Sequence, residues 1–180
     1  MEIKEGRLYF IKDEFLEKYG QKYNLMENKV EKGTKRPTYF CFKDNKNEDL
    51  LWFVPMSKQF DKYFKIYNNK KQKINKEPNN FVFFNNIAGI KGVFLIQNIF
   101  PTTESYVQEE YLRRGQEIRV SKIIQREILE KAKNVIALAN RGIVATYTNL
   151  PEFIKEIELE IIIRKRNLSK LCNIMIICNN

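Results

Sequence analysis

Histidine is absent from this chain of 180 residues, and cysteine, proline and glycine are scarce, at three, five and seven residues. The missing imidazole removes the usual acid-base group near neutral pH and the commonest metal ligand. Histidine-based phosphodiester cleavage and histidine-containing zinc sites are therefore excluded, and any catalysis must rely on Lys, Arg, Ser, Thr, Tyr or carboxylate groups. Cys41, Cys172 and Cys178 lack CxxC spacing, which argues against a disulfide framework and a zinc site.

Long apolar runs are also lacking. No run approaches the roughly 18 residues that a membrane span needs, and the opening MEIKEGRLYF does not have the layout of a signal peptide. We expect a cytoplasmic protein without membrane contact. The size predicts one domain, at residues 1–160, followed by a basic and apolar tail at residues 161–180. This tail either packs on the last helix or mediates self-association, and the sequence leaves both open.

Positive charge is in excess: 32 lysines and arginines stand against 22 acidic residues, which gives a formal net charge of +10. Such a balance favours polyanionic partners through phosphate contacts and counterion release. Nucleic acid is the first candidate, and an anionic membrane surface is a distant second. The alternative is that a lysine-rich surface serves solubility alone.

Strand-like patterns fill the first half of the chain and helical patterns the second. Alternating aromatic and branched residues predict strands, with two hairpins among them, at residues 7–12, 38–43, 50–54, 81–84 and 93–97. Capping residues predict helices at residues 13–19, after Ser57, from Thr102 or Thr103 to Tyr111, from Ser121 to about Arg141, and from Pro151. This order predicts an α+β domain, in which a twisted antiparallel sheet or partial barrel carries helices on one side.

Ser57 and Lys58 stand where a strand is expected to stop at Pro55 and a helix to begin. As the helix N-cap, Ser57 would lie beside free backbone N–H groups, which bind phosphate. A lysine there can neutralise the charge of a phosphorane transition state, and a serine hydroxyl can hydrogen-bond a phosphate oxygen. The alternative is a structural cap followed by a solvated lysine.

A basic loop at residues 32–38 leads into the first strand of the central hairpin. Its cations and hydroxyls are Lys32, Thr34, Lys35, Arg36 and Thr38. Because the two hairpin strands are antiparallel, this loop is expected beside Ser57 at one edge of the sheet. The alternative is a surface loop of ordinary composition.

Two further basic groups are candidate RNA contacts. The first surrounds an aromatic stripe, Phe60, Tyr63, Phe64 and Tyr67, and consists of Lys62, Lys65, Lys70, Lys71 and Lys73. Lysines with interleaved aromatic rings suit single-stranded RNA, although a stripe at helical spacing is more typical of a core. The second group is either another RNA contact or a solvated face, and it consists of Arg113, Arg114, Arg119, Lys122 and Arg126.

Four short motifs occur in an order that resembles the toxins of type III toxin-antitoxin systems, most closely their CptN branch. The motifs are GRLYFIKD, RPTYFCFKD, LWFVPMSK and FLIQNIFPTT, and the resemblance runs from about Gly6 to Glu158. It implies a metal-independent endoribonuclease without a cofactor, related in fold to the Kid and MazF toxins. The 2′-hydroxyl next to the scissile phosphate would attack it, leaving a 2′,3′-cyclic phosphate and a free 5′-hydroxyl.

The resemblance also implies partners. These are cellular RNA substrates and a repeat RNA antitoxin, which the toxin trims from its precursor and which inhibits the toxin in a closed protein–RNA assembly. The antitoxin's 3′ end would occupy the same groove as the substrate, so that product and inhibitor would be one molecule.

Family toxins have a serine, often preceded by threonine and followed by a nearby lysine, just after a proline-ended strand. Ser57 and Lys58 hold these places, with Met56 where the ToxN toxins have threonine. The resemblance implies phosphate orientation by Ser57 and transition-state charge from Lys58, which alternatively serves as the acid. The expected basic residue before the first hairpin strand is Lys35 or Arg36, in contact with the scissile phosphate or leaving group. Thr38 is a candidate to replace the missing hydroxyl.

Overall fold

A computed structural model of the protein describes residues 2–26 and 35–178, with side chains as far as residue 169. The strands are β1 (Leu8–Ile11), β2 (Thr38–Lys43), β3 (Leu51–Ser57), β4 (Phe81–Ile87), β5 (Ile90–Leu95), β6 (Phe100–Thr102), β7 (Val107–Glu110), β8 (Leu112–Arg113) and β9 (Gln116–Glu117). The α-helices are α1 (Asp13–Tyr19), α2 (Phe60–Ile74), α3 (Lys122–Asn140) and α4 (Leu150–Cys178). Short 3-10 helices span Ile96–Asn98 and Glu104–Tyr106.

Seven strands form one sheet in the order β4-β5-β3-β2-β1-β7, with β6 also paired to β3. The pairings in this sheet are antiparallel. Both predicted hairpins are present, as β2 with β3 and β4 with β5. The predicted α+β class is therefore confirmed.

β3 is the strand that carries the candidate site, and it continues through Pro55 instead of stopping there. On its far edge it pairs first with β6, up to Phe53 opposite Phe100, and then with β5, from Met56 opposite Phe94. The 3-10 helix between β5 and β6 interrupts this edge at the level of Pro55. The Met56 N–H points the other way, to the carbonyl of Pro37. Pro55 therefore lacks its N–H where the neighbouring edge is already irregular, which is the setting that a strand tolerates.

Aromatic rings build the core between the sheet, α1 and α4. Phe15 of α1 is fully buried, with its ring centroid 5.0 Å from that of Tyr106 and 5.7 Å from that of Phe100. Phe153 of α4 stacks on Tyr23, at 3.9 Å between centroids and an interplanar angle of 8°. This packing holds the first half of α4 against the sheet and α1.

The segment after β6 differs from its sequence prediction. The predicted helix from Thr102 or Thr103 to Tyr111 is wrong: one 3-10 turn, Glu104–Tyr106, leads directly into β7. The chain is extended there because β7 supplies the edge partner of β1, with Phe10 opposite Glu109. The proposed boundary between domain and tail, at residue 160, falls inside the continuous helix α4. No helix in the described part of the chain is long and apolar enough to cross a membrane.

Glu160 fastens α4 to the neighbouring elements through a nearly buried carboxylate. Its oxygens accept hydrogen bonds from the phenols of Tyr19 and Tyr106, at 2.5 and 2.7 Å, and from the ammonium of Lys18 at 3.0 Å. Burial by itself raises the pKa of Glu160, but these hydrogen bonds outweigh burial and hold the pKa at about 2. The ionised form is thus strongly favoured in the folded protein.

Replacing Glu160 by glutamine is expected to lower the free energy of unfolding by about 1–3 kcal/mol at pH 7, since a charge-assisted network is lost. The folded-state pKa of about 2 lies below the usual value of 4.5, so the contribution is present above pH 4.5 and disappears as the pH falls towards 2. The difference in the free energy of unfolding between the unmodified protein and Glu160→Gln should therefore shrink as the pH falls from 4.5 towards 2. Urea unfolding at a series of pH values measures it.

The matched control for this prediction is Glu130→Gln, which removes an exposed carboxylate of α3. We expect it to change stability by less than about 0.5 kcal/mol at every pH. A difference between Glu160→Gln and the unmodified protein that stays constant from pH 7 to acid would contradict the assigned role of Glu160.

Candidate functional site

Ser57 is the last residue of β3 and is 5% exposed. It lies opposite Val93 of β5, and its Oγ accepts a hydrogen bond from the Gln59 N–H at 3.3 Å. A Cβ at Gly92 would lie 2.6 Å from the Ser57 carbonyl oxygen, so that only glycine permits this approach of β5. Among the described residues, the hydroxyl proton of Ser57 has no hydrogen-bond acceptor, which leaves it available to a ligand.

The prediction that Ser57 is a helix N-cap is wrong. Helix α2 begins at Phe60, and its N-cap is Gln59, which makes no side-chain capping bond. The difference arises because β3 runs on to Ser57, and Lys58 and Gln59 are then needed to turn the chain. The Ser57 hydroxyl stabilises this turn instead of the helix. Lys58 follows it with an exposed side chain.

Arg36 lies directly beside the end of β3. Its Nη1 donates a hydrogen bond of 3.1 Å to the carbonyl oxygen of Met56, the residue before Ser57. Burial lowers the pKa of Arg36 from its usual value, but a guanidinium stays protonated in proteins. The partly desolvated guanidinium is therefore held at the carbonyl of the residue before Ser57. A positive charge in this setting interacts more strongly with a phosphate than it would in water.

The side chains of Lys35 and Thr38 donate hydrogen bonds to other strands of the sheet, β7 and β1. The ammonium of Lys35 donates a 2.7 Å hydrogen bond to Oε1 of Gln108 on β7, which is three strands away from β3. The Thr38 hydroxyl is buried and donates to the carbonyl of Tyr9 at 2.9 Å, which ties β2 to β1. Thr38 lies opposite Pro55 in the sheet, two residues from Ser57. Among the described candidates of this loop, Lys35, Arg36 and Thr38, Arg36 is thus the one whose side chain bonds to the end of β3.

Lys91 is a cation at this site that the sequence did not single out. It precedes Gly92, whose backbone lies against the Ser57 carbonyl. Its Nζ lies 3.8 Å from the ring centroid of Phe60 and 3.9 Å from a carboxylate oxygen of Asp61. Its place between the predicted strands at residues 81–84 and 93–97 was the available signal, and in the structure it belongs to β5. The strand pairing that places it beside β3 is not visible in local sequence.

The lysines of the first basic group line the exposed face of α2. All five side chains, those of Lys62, Lys65, Lys70, Lys71 and Lys73, are exposed. Lys71 forms an ion pair with Glu77, and Lys70 donates to Oδ1 of Asn80 at 3.0 Å. Lys32, a further candidate RNA contact from the basic loop, and Thr34 lie outside the described residues. The helix starts three residues after Ser57, so this face extends from the candidate site.

The aromatic stripe of α2 is half-buried. Phe60, Phe64 and Tyr67 each pack against Phe83 of β4, with centroids 5.2, 5.5 and 5.4 Å apart. Phe64 nevertheless keeps 43% of its surface exposed. The stripe therefore attaches α2 to the β4–β5 hairpin and still leaves ring surface beside the lysines.

The second basic group is divided between two places. Arg113 ends β8, and its guanidinium reaches the tip of the β4–β5 hairpin, with Nη1 3.3 Å from where a Cβ at Gly89 would be. Arg114 occupies the turn between β8 and β9 with a φ of 52°. The exposed side chains of Arg119, Lys122 and Arg126 lie at or near the start of α3. Within this group, Arg113 is therefore the residue that contacts the hairpin carrying Ser57's neighbour Gly92.

The end of β3 thus presents a nearly buried hydroxyl, a partly buried guanidinium and two exposed ammonium groups, from Ser57, Arg36, Lys58 and Lys91. Hydroxyl and cationic donors of this kind bind a phosphate and stabilise added negative charge on it. No group of three or more Cys, Asp or Glu side chains that could hold a metal ion is present among residues 2–26 and 35–169.

No family model and no curated protein matches the sequence. Solved structures, in contrast, share its fold. One is AbiQ, a lactococcal anti-phage endoribonuclease belonging to the type-III toxin-antitoxin system, with a TM-score of 0.64 and 14% identity, covering 86% of this chain and 96% of AbiQ.

Two further structures are similar. One represents bacterial type III toxin-antitoxin systems with selective toxin inhibition by a non-coding RNA pseudoknot (TM-score 0.63, 16% identity, 87% of this chain and 98% of that one). The other represents a bacterial antiviral system regulated by a processed non-coding RNA (TM-score 0.60, 12% identity, 84% of this chain and 97% of that one). The fold is therefore the one that the sequence motifs implied.

Proposed function

We propose that this protein, which has the fold of AbiQ, is a sequence-selective endoribonuclease toxin that acts on cellular RNA in the cytoplasm and is inhibited by a repeat RNA. The observation that carries the proposal is the end of β3. There the proton of the Ser57 hydroxyl has no hydrogen-bond acceptor among the described residues. Arg36 donates a hydrogen bond of 3.1 Å to the carbonyl of the adjacent Met56. The net charge of +10 and the shared fold support the same function.

The proposed reaction is an internal phosphodiester transfer. The substrate's 2′-oxygen forms a bond to phosphorus while the bond from phosphorus to the 5′-oxygen breaks, which yields a 2′,3′-cyclic phosphate and a 5′-hydroxyl. The 2′-hydroxyl loses its proton, and the departing 5′-oxygen gains one. We assign phosphate orientation to Ser57 and stabilisation of the charged phosphorane to Arg36. Lys58, the exposed ammonium next to Ser57, supplies charge or the proton for the leaving oxygen.

We assign phosphorane stabilisation to Arg36 and not to Lys35, because the Lys35 ammonium is hydrogen-bonded to Gln108 of β7, three strands away from β3. The proposed reaction uses no metal, because guanidinium and ammonium groups supply the positive charge that stabilises the phosphorane. Thr38 is assigned a supporting role, since its buried hydroxyl holds β2 against β1.

The exposed lysines of α2 are the proposed track for the RNA backbone. The half-exposed rings between them, above all Phe64, offer surfaces on which bases stack. The antitoxin is proposed to follow the same track, so that its 3′ end occupies the site as a retained product. An inhibitor held in this way competes directly with substrate for Ser57 and Arg36.

End mapping after incubation with mixed RNA in EDTA tests the proposed reaction. We expect cuts at a restricted set of sequences, with 3′ ends that resist ligation until the cyclic phosphate is removed and with 5′ ends that carry a hydroxyl. Cleavage should proceed without added metal.

Three results would contradict parts of this proposal. Ends with a 3′-hydroxyl and a 5′-phosphate would exclude attack by the 2′-oxygen, and cleavage that needs a divalent cation would exclude metal independence. Intact RNA that nevertheless binds tightly, with affinity that falls steeply as salt increases, would favour the alternative of a non-catalytic RNA-binding module.

A further inference from the structure

The second half of α4 buries little surface against the body of the protein. Up to Ile161 the helix buries one side of every turn, whereas Lys165 to Ser169 are all exposed. Lys165 forms an ion pair with Asp49, just before β3 begins, so α4 projects at the end of the sheet opposite Ser57. Helical segments of this length are marginal in water without packing, so the continuation to Cys178 calls for a partner surface.

Charge is segregated along this helix. Its first half contains four glutamates, at positions 152, 156, 158 and 160, against one lysine, Lys155, and its second half contains Arg164, Lys165, Arg166 and Lys170. Two copies of such a helix attract each other when they run antiparallel, because each acidic half then faces a basic half. Parallel copies would place like charges together.

A row of side chains on α4 fits this arrangement. We call Glu158, Leu159, Ile162, Ile163 and Arg166 the α4 stripe, of which Glu158 is half-buried and the other four are exposed. Leu159, Ile162 and Ile163 are 57%, 46% and 49% exposed. Glu158 and Arg166 lie one turn before and one turn after Ile162, on the same side of the helix. Among the described residues, neither the Glu158 carboxylate nor the Arg166 guanidinium has an ion-pair or hydrogen-bond partner.

We infer that the α4 stripe is the interface of a homodimer, in which two α4 helices cross antiparallel at Ile162 and each Glu158 pairs with the Arg166 of the other copy. The two copies of Ile162 meet at the two-fold axis, and Leu159 and Ile163 flank them. Such an isologous contact is the commonest way for identical chains to associate. The inference does not depend on the proposed reaction.

The same arrangement accounts for the apolar segment at residues 171–178. At 1.5 Å per residue, this segment begins about 14 Å beyond Ile162, and Pro151 and Ile154 lie roughly 12–17 Å from Ile162 in the opposite direction. Antiparallel crossing therefore brings the segment of one copy to the groove between α3 and α4 of the other. That groove has a volume of about 580 Å³ and includes Trp52, Ile136, Pro151 and Ile154 in its lining.

Sedimentation of the full chain over a wide concentration range tests the dimer. The unmodified protein should have twice the mass of one chain, and Ile162→Asp should weaken association about thirtyfold or more, because it places two carboxylates at the axis. The matched control is Ile123→Asp, at an 81% exposed isoleucine of α3, which should leave the dissociation constant unchanged.

A charge exchange tests the register. Glu158→Arg and Arg166→Glu should each weaken association about tenfold, since each sets like charges opposite one another. The double variant should restore it, because the pairs are reformed with exchanged signs. None of these changes touches the end of β3, so RNA cleavage and dimer formation can fail separately.

Several outcomes would overturn the inference. A monomer at all concentrations would do so, as would a monomer that instead binds vesicles of anionic phospholipid, since α4 would then face a membrane surface. Equal effects of Ile162→Asp and Ile123→Asp would show that the α4 stripe is not the interface. Failure of the double charge exchange to restore association would exclude the antiparallel register.

Discussion

Ser57→Ala is expected to reduce RNA cleavage by about 10²- to 10³-fold, the usual effect of removing one group that hydrogen-bonds a developing charge. RNA affinity should change by less than about twofold, because the lysines that track the backbone remain. Ser57 is 5% exposed, and removal of its small hydroxyl costs the fold one acceptor, in the partly buried hydrogen bond from the Gln59 N–H. Water can replace that bond, so thermal unfolding should be nearly unchanged.

Single-turnover cleavage of a defined RNA, with affinity measured in parallel, separates the two effects. Ser105→Ala is the control, because it removes a hydroxyl near the other end of β3, where Ser105 lies beside Thr103 and Arg164. It should cleave at the unmodified rate. If Ser57→Ala cleaved normally, or if it lost affinity and cleavage in equal measure, Ser57 would not be the group that orients the phosphate.

Phe153→Ala is expected to lower the free energy of unfolding by about 3–5 kcal/mol, the usual cost of truncating a buried aromatic side chain. Phe153 is fully buried, and its ring stacks on Tyr23 and lies 5.3 Å from Tyr19 and 6.1 Å from Phe15, centroid to centroid. The cavity would open where α4 meets α1. The glutamate contacts of α4 should weaken with it, because Tyr19 also donates to Glu160.

Urea unfolding at pH 7 measures this loss, and Phe64→Ala on α2 provides the comparison. Phe64 is 43% exposed, so truncation should cost less than about 1.5 kcal/mol. Similar losses at both positions would mean that the aromatic cluster around Phe153 does not hold α4 in place.

The sequence alone does not decide between Lys35 and Arg36. Both are adjacent cations ahead of β2, and composition cannot rank them. In an extended chain successive side chains point to opposite sides. Arg36 accordingly turns to the Met56 carbonyl and Lys35 to Gln108. The catalytic roles of both remain predictions for the cleavage assay.

The segment after β6 shows a second limit. Thr102 and Thr103 ahead of a polar stretch have the local pattern of a capped helix, which the sequence predicted. In the fold, Val107–Glu110 pairs with β1 as an edge strand. Backbone hydrogen bonds with a distant strand outweighed the local capping preference, because β1 requires a partner on its outer edge.

The sequence by itself excluded histidine-based cleavage and histidine-containing zinc sites. It also determined the net charge, the alternation of residues that makes the hairpins, and the order Pro-Met-Ser-Lys at the end of β3. These are local or compositional properties, and they do not depend on which segments meet. Only the tertiary structure decided that β3 passes through Pro55, that Lys91 and Arg36 join Ser57, and that α4 runs unbroken into the tail. Each of these depends on pairing between residues far apart in the chain, where register and packing, not local preference, set the position of a side chain.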